Sequence, residues 1–262
     1  MEINISSLSN PKIKEIVKLL TKSSFRKESG CFVVDGSREI LAALEAGYVP
    51  VDLFVSTNAP LSLLSYSQMK LATFVSPEIF SKIAYKENPD GYLAIFKVKS
   101  VNINNVKLSD NPLVIILEGV EKPGNLGAVL RTAYAVGADA VICNNPALDI
   151  YNPNVVRASE GMIFWTQLVV DSVNNTKKWL KKFNIKPLIT STAASQPYYE
   201  VDMSCPTAIV FGSEADGLTN KWLECEVNSI KIPMQMGIDS LNLSVSVGVV
   251  AFEAVRQRRM AI

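Results

Sequence analysis

Residues 113–119, LVIILEG, decide the fold. Five consecutive aliphatic side chains leave no polar face, so a strand here is buried on both sides, as in a parallel sheet covered by helices. Similar short runs recur downstream at ADAVIC (138–143), IKPLITST (185–192), TAIVFG (207–212) and SIKIPM (229–234). Segments of helical character separate them, which predicts a layered α/β domain over 113–262. It closes on a long helix over about 240–259, with Ser240 as the expected N-cap. Ser240, Ser244 and Gly248 recur every four residues there and form a small-residue seam that permits close packing.

The upstream half has its own rhythm. CFVVD (31–35) reads as a strand, Ser37 as the cap of REILAALEAG with Gly47 as its stop, and VDLFVS (51–56) as a second strand, together a βαβ pattern. Ser76 and Pro77 open another short helix, and GYLAIFKV (91–98) reads as a strand. The stretch SVNINNVKLSDNP (100–112) is polar and turn-rich, which predicts a linker between a domain over 1–99 and one over 113–262. At the start, Asn10 and Pro11 cap a helix with Ile13, Ile16, Val17 and Leu20 on one face and the lysines largely on the other. Residues 1–27 hold Lys12, Lys14, Lys18, Lys22, Arg26 and Lys27 against Glu2 and Glu15. A solvated helix face is the plainer account of these charges, and an RNA-facing patch is the other.

Composition narrows the chemistry. The chain has 262 residues, 26 Lys and Arg against 25 Asp and Glu, and no histidine. The last count removes the commonest general base and the commonest metal ligand, and so excludes serine-triad hydrolysis and Cys/His zinc sites; no metal is expected. Cys31, Cys143, Cys205 and Cys225 form no close-spaced pair and read as buried thiols of a reducing cytosol. No apolar run reaches bilayer length and the N-terminus carries no export signal, so a cytoplasmic protein without a membrane partner is expected.

Three stretches at strand ends are suited to chemistry. In EGVEKPGNLGAVLRTAYAVGA (118–138), Gly124 and Gly127 let a loop turn into a helix that carries Arg131, a pairing suited to a phosphate or carboxylate. A glycine-rich connection with a surface arginine explains the same residues. In FGSEADGLT (211–219), Gly212 and Gly217 have the separation found in a P-loop, but Leu218 replaces the lysine, and Glu214 and Asp216 repel phosphate. This acidic loop suits a ligand that carries positive charge or donates hydroxyl groups. In KIPMQMGIDSLNLSVSVGVV (231–250), Met234 and Met236 are either core methionines or the wall of a flat apolar pocket. No GxGxxG follows the first strand of either domain, which disfavours a nicotinamide dehydrogenase.

Taken together, EKPGNLGAVLRTA (121–133), IVFGSEADGL (209–218) and IPMQMGIDSLNLSVSVGVVAFEAVRQR (232–258) resemble the three ordered signature motifs of the SpoU/TrmH branch of the SPOUT RNA methyltransferases. YNPNVVRASEGMIF (151–164) fits the same pattern, and SNPKIKEIVKLL with RKESGCFVVDGSREI resembles the substrate-binding domain that often precedes this catalytic domain. The resemblance runs through nearly the whole chain. It implies a small α/β RNA-binding domain followed by an α/β methyltransferase domain whose C-terminal segment forms a trefoil knot, against ordinary topology rules. It also implies S-adenosylmethionine as cofactor, a homodimer with active sites at its interface, and transfer of a methyl group to a ribose 2′-hydroxyl of RNA.

Carried over residue by residue, the resemblance assigns catalysis to Arg131, Asn125, Glu214 and Asn242, and cofactor binding to Gly212, Gly217, Ile232, Met234, Ser240 and Leu241. Arg131 is the family's residue most often assigned to catalysis. Guanidinium stays protonated above pH ~12, so a role in stabilising the developing alkoxide is preferred to that of a base. Ribosomal RNA is favoured over transfer RNA because the two-domain arrangement resembles the ribosomal-RNA members. The alternatives are a tRNA 2′-O-methyltransferase and a non-catalytic RNA-binding or ribosome-assembly protein on the same fold.

Overall fold

The structure is a computed structural model and describes residues 3–60, 72–223 and 228–260. It forms two compact units, one built from the chain up to Lys99 together with Tyr151–Trp165, the other from Ser100–Ile150 and the chain from Thr166 onward. No helix among the described residues is long and apolar enough to cross a membrane.

The first unit contains α1 (Pro11–Thr21), α2 (Ser23–Ser29), β1 (Cys31–Asp35), α3 (Ser37–Glu45), β2 (Pro50–Ser56), β3 (Ala72–Val75), α4 (Pro77–Ile83) and β4 (Tyr92–Lys97). Its sheet has the order β1-β4-β2-β3, with β4 antiparallel to both β1 and β2 and β3 parallel to β2. The β1-α3-β2 crossover thus leaves a gap that β4 fills. Asn10 caps α1 as expected, accepting the Lys12 N–H at 2.9 Å, with Pro11 in the first turn. The helix buries Ile13, Ile16 and Leu19 against Val33, Phe54, Leu93 and Ile95, whereas Val17, expected on that face, is 43% exposed. Arg26 also departs from the expected basic surface: it is buried and donates to the Leu19 carbonyl at 2.6 Å. Ser37 is the first helical residue of α3 rather than its cap. Its N–H and hydroxyl both donate to Asp90, at 2.7 Å each, so the cap is supplied from 53 residues away.

Residues 151–165, expected with the downstream domain, pack into this first unit. The physical reason lies in β1 and β4, whose side chains are buried on both faces of the sheet. α1 and α4 cover one face. On the other, Phe32 stacks with Phe96 and meets Tyr151 at 4.5 Å, while Tyr48 meets Phe164 edge-on at 5.1 Å.

In the second unit, β5 (Leu113–Glu118), β6 (Ala140–Asn144), β7 (Leu168–Asp171), β8 (Lys186–Thr190), β9 (Gln196–Pro197), β10 (Thr207–Phe211) and β11 (Asn228–Lys231) form one parallel sheet, ordered β7-β6-β5-β10-β8-β11-β9. β5, β6 and β10 are buried along their whole length. The principal helices are α5 (Pro123–Val136), α6 (Val173–Lys182) and α7 (Leu243–Met260), and α5 packs against α7. The expected linker is instead part of this unit. Val101 pairs with Val169, Ile103 and Val106 enter the core, and Gln167 exchanges hydrogen bonds with the Lys107 backbone at 2.9 and 2.8 Å.

α7 starts at Leu243, so Ser240 does not cap it. Asn242 does, accepting from the Ser244 N–H and hydroxyl at 2.9 and 2.7 Å. Only Ser244 and Gly248 of the expected seam lie on the helix. At its other end Arg258 donates to the carbonyls of Asn111, Pro112, Met203 and Cys205. Of the cysteines expected to be buried, Cys143 is, and burial pushes its thiol up to about 12; Cys31 is half-buried and Cys205 exposed, while Cys225 lies outside the described residues.

Candidate active site

The chain reverses direction across the second sheet between β5 and β10: from β5 it proceeds through α5 to β6 on one side, and from β10 it proceeds to β11 on the other. Loops leaving adjacent strands at such a point diverge and open a crevice at the carboxyl edge of the sheet. The loop after β10 is unusually tight. A side chain at Gly212 would overlap the backbone of Gly217 and Leu218, and Ser213 and Gly217 exchange N–H···O bonds of 3.0 and 3.1 Å. Gly217 adopts φ +69°, a conformation that favours glycine. The far end of the loop is pinned by buried Glu118, the last residue of β5, which accepts from the Thr219 N–H and hydroxyl at 2.8 and 2.7 Å.

Beside this loop lies a cavity of ≈ 460 Å³, walled by residues 190–192 at the end of β8, the 212–218 loop, and residues of the segment from Ile230 to Leu243. Gly212, Gly217, Ile232, Met234, Ser240 and Leu241 all line it. Its charged lining is acidic in balance, with Glu214, Asp216 and Asp239 against Lys231. Met236, by contrast, is fully exposed.

Three of the four residues assigned to catalysis meet at the cavity's edge. Asn125, in the first turn of α5, donates to Glu214 Oε1 at 2.8 Å. Asn242, at the start of α7, donates to the same oxygen at 3.1 Å and to Asn125 Oδ1 at 3.0 Å. Lys122 pairs with Glu214 Oε2 at 2.5 Å, and the Leu243 N–H also reaches this carboxylate. Lys122, with smaller help from Asn125 and Leu243, holds the Glu214 carboxyl below the usual carboxylate range. A carboxylate so stabilised is a weak base and a strong orienting acceptor. Arg131 is exposed on α5, about 9 Å along the helix axis from Asn125 at 1.5 Å per residue, and is not among the residues that line the cavity.

Lys122, Glu118 and Thr219 escaped the sequence reading. Glu118 carries one signal, a carboxylate closing an otherwise aliphatic strand; Lys122 carries another, a cation at a helix N-terminus where the dipole disfavours it. Among the described residues no group of three or more His, Cys, Asp or Glu is placed to hold a metal ion.

Residues 112–252 match the SpoU rRNA methylase family, and residues 10–94 match the MRM3-like substrate binding domain. A protein of Synechocystis described as an uncharacterized tRNA/rRNA methyltransferase is 30% identical over 266 residues, covering 97% of this chain and 94% of that protein. A 23S rRNA guanosine 2′-O-methyltransferase of Bacillus subtilis is 27% identical over 250 residues, covering 95% of this chain and 97% of its own length. The crystal structure of an AdoMet-bound rRNA methyltransferase from Sinorhizobium meliloti superposes with a TM-score of 0.88 at 27% identity, covering 96% of this chain and 97% of that one. Motifs, fold and relatives agree, and the chain belongs to the SpoU rRNA methylase family.

Proposed function

We propose that this protein transfers a methyl group from S-adenosylmethionine to a ribose 2′-hydroxyl of ribosomal RNA in the cytoplasm. The observation that carries the reading is the junction of three separate motifs at one cavity: Asn125, Glu214 and Asn242 cross-bonded at its edge, and six cofactor-type residues along its wall. The cavity suits the cofactor in size and chemistry. Small-molecule sites span roughly 300 to 1,000 Å³; here Ile232, Met234, Leu218 and Leu241 offer apolar surface, and Asp216 and Asp239 suit a positively charged ligand.

S-adenosylmethionine, when bound, supplies an electrophilic methyl group on a sulfonium. The chain must hold the ribose oxygen in line with it and ease loss of the hydroxyl proton. Asn125, Glu214 and Asn242 orient the ribose. Glu214 is too weak a base to draw that proton strongly. Arg131 acts as a fixed cation, stabilising the developing alkoxide beside an RNA phosphate, while the hydroxyl proton passes to solvent water.

Two further features belong to this reading. Segment 231–245 threads the 212–217 loop as a trefoil knot, supported by the shared wall of these two segments and by the tight closure at Gly212. The second unit pairs with a second copy through α5 and α7, where Tyr134, Val245 and Phe252 are 52%, 49% and 53% exposed. Val245 and Phe252 share a helix face at seven-residue spacing, and Arg131 lies one turn from Tyr134, so the pairing brings Arg131 to the interface. Ribosomal RNA is preferred because the Bacillus subtilis and Sinorhizobium meliloti proteins, both rRNA methyltransferases, match across both units.

Mass-spectrometric mapping of 2′-O-methylation in RNA from cells with and without the gene tests the substrate: one ribosomal nucleotide should lose its methyl group. Loss of a tRNA methyl group alone would replace the rRNA assignment. Failure of calorimetry to detect S-adenosylmethionine binding would refute the catalytic reading altogether.

A further inference from the structure

We propose that Lys122 is a positioning residue for methyl transfer that acts through Glu214, an inference that rests on the methyltransferase reading above. Lys122 occupies the N-cap of α5, yet its side chain makes no capping hydrogen bond. A cation at that position opposes the helix dipole, and N-caps favour Ser, Thr, Asp or Asn. Helix stability therefore does not account for it. Its ammonium instead meets Glu214 Oε2, leaving Oε1 to the two asparagine amides.

The hydrogen-bond inventory of this cluster has one solution. Asn242 Oδ1 is occupied by the Ser244 N–H and hydroxyl, at 2.9 and 2.7 Å, so its NH2 must face the cluster. One amide hydrogen goes to Glu214 Oε1 and the other to Asn125 Oδ1. Asn125 is thereby fixed as well: its oxygen faces Asn242, and one amide hydrogen is spent on Glu214. Its second amide hydrogen is the donor that the cluster can present to substrate.

This arrangement requires Glu214 to stay an ionised acceptor with Oε1 toward the amides. A protonated carboxyl would be a competing donor, and one swung away from the asparagines would leave an amide hydrogen of each without its acceptor. Lys122 opposes both changes at once, through its charge and through its hold on Oε2. Its ammonium is on the outer side of the carboxylate, with the lysine side chain 66% exposed, so it adds no bulk to the cavity. The residue is thus a second layer behind the asparagines, and its influence should fall on the chemical step.

The test is steady-state methylation of rRNA by the 262-residue chain as wild type, Lys122→Met and Lys122→Arg, with S-adenosylmethionine affinity measured by calorimetry on the same preparations. Lys122→Met should lower kcat roughly tenfold, the scale of one charge-assisted hydrogen bond, with cofactor Kd and RNA KM within about twofold of wild type. Lys122→Arg, which keeps charge and donors, should recover most of the lost kcat. A raised RNA KM at unchanged kcat would make Lys122 a direct phosphate contact and overturn the proposal. So would unchanged kcat in Lys122→Met, no recovery in Lys122→Arg, or weakened cofactor binding. A wild type that binds cofactor but methylates no rRNA would instead overturn the functional reading, and the role of Lys122 with it.

Discussion

The two units hold their charged and polar groups in opposite ways. In the second, Lys122, Asn125, Glu214 and Asn242 come from three distant segments and are locked to one another at the carboxyl edge of a buried parallel sheet. In the first, Lys14, Lys18, Lys22 and Lys27 stand exposed on α1 and α2 or between them, and only Lys18 meets a ring, 5.4 Å from Phe25, with no carboxylate partner among the ion pairs of the described residues. Fixed geometry suits a reaction that fails when one atom is misplaced; dispersed charge suits recognition of a polyanion. Substitutions should therefore act singly and strongly in one unit, and weakly and cumulatively in the other.

The largest expected effect is that of Arg131→Ala. On the role proposed for Arg131, removing its cation should lower methylation by about a hundredfold or more, while S-adenosylmethionine binding stays near wild type. Turnover within a few-fold of wild type would remove Arg131 from the mechanism. Next comes Arg258→Ala. This guanidinium is drawn down from its ordinary pKa by burial, and its contacts with four backbone carbonyls anchor the end of α7 opposite the site. Its loss should cost about 2 to 3 kcal/mol in urea unfolding, since the carbonyls are left without donors. A change below about 0.5 kcal/mol would show that α7 is held by its apolar contacts alone.

The first unit should respond differently. Changing Lys14, Lys18, Lys22 and Lys27 together to Gln should weaken RNA binding and flatten its dependence on salt, by about 0.7 in the log–log slope for each single-strand phosphate contact removed. Filter retention across a salt series measures this, and an unchanged slope would mean that these lysines are a solvated face only. Substitution is a cleaner test than truncation. Residues 151–165 pack on the sheet of the first unit, so deleting the chain up to residue 99 would strip Tyr151 and Phe164 of their cover.

The same contrast explains what was legible in the sequence. β5, β6 and β10 are aliphatic runs buried on both faces, and a run of that kind announces itself without knowledge of its neighbours. β7 and β9 do not: Val170 of β7 is 49% exposed, and β9 is only Gln196 and Pro197, a pair with no apolar pattern. Tyr151 and Phe164 read as core residues of some sheet, but nothing local says which. Caps are ambiguous for a related reason. Ser240 and Asn242 are both good N-caps two residues apart, and the choice falls to Asn242, whose amide also meets Asn125 and Glu214. The cavity wall followed from the family motifs. Lys122 did not, because its partner Glu214 lies 92 residues away and only the fold joins them.

The smallest expected effect bears directly on that pair. Glu214 has its pKa lowered in the folded state, so the stability it contributes is present above the ordinary glutamate pKa of about 4.3 and fades as pH falls through the lowered value. Glu214→Gln removes the charge while keeping the size. Glu214 is exposed and solvent screens its partners, so the cost near pH 7 should be at most about 1 kcal/mol, and the gap from wild type should shrink on acidification. Urea unfolding at a series of pH values from 7 down to about 3 separates the outcomes. A gap that does not narrow at all would mean that shape rather than charge joins Glu214 to its neighbours, and the second unit's site would be held by packing, with Lys122 a bystander. A gap that narrows would place the locking of the site in one ionised carboxylate, the feature that the dispersed lysines of the first unit lack.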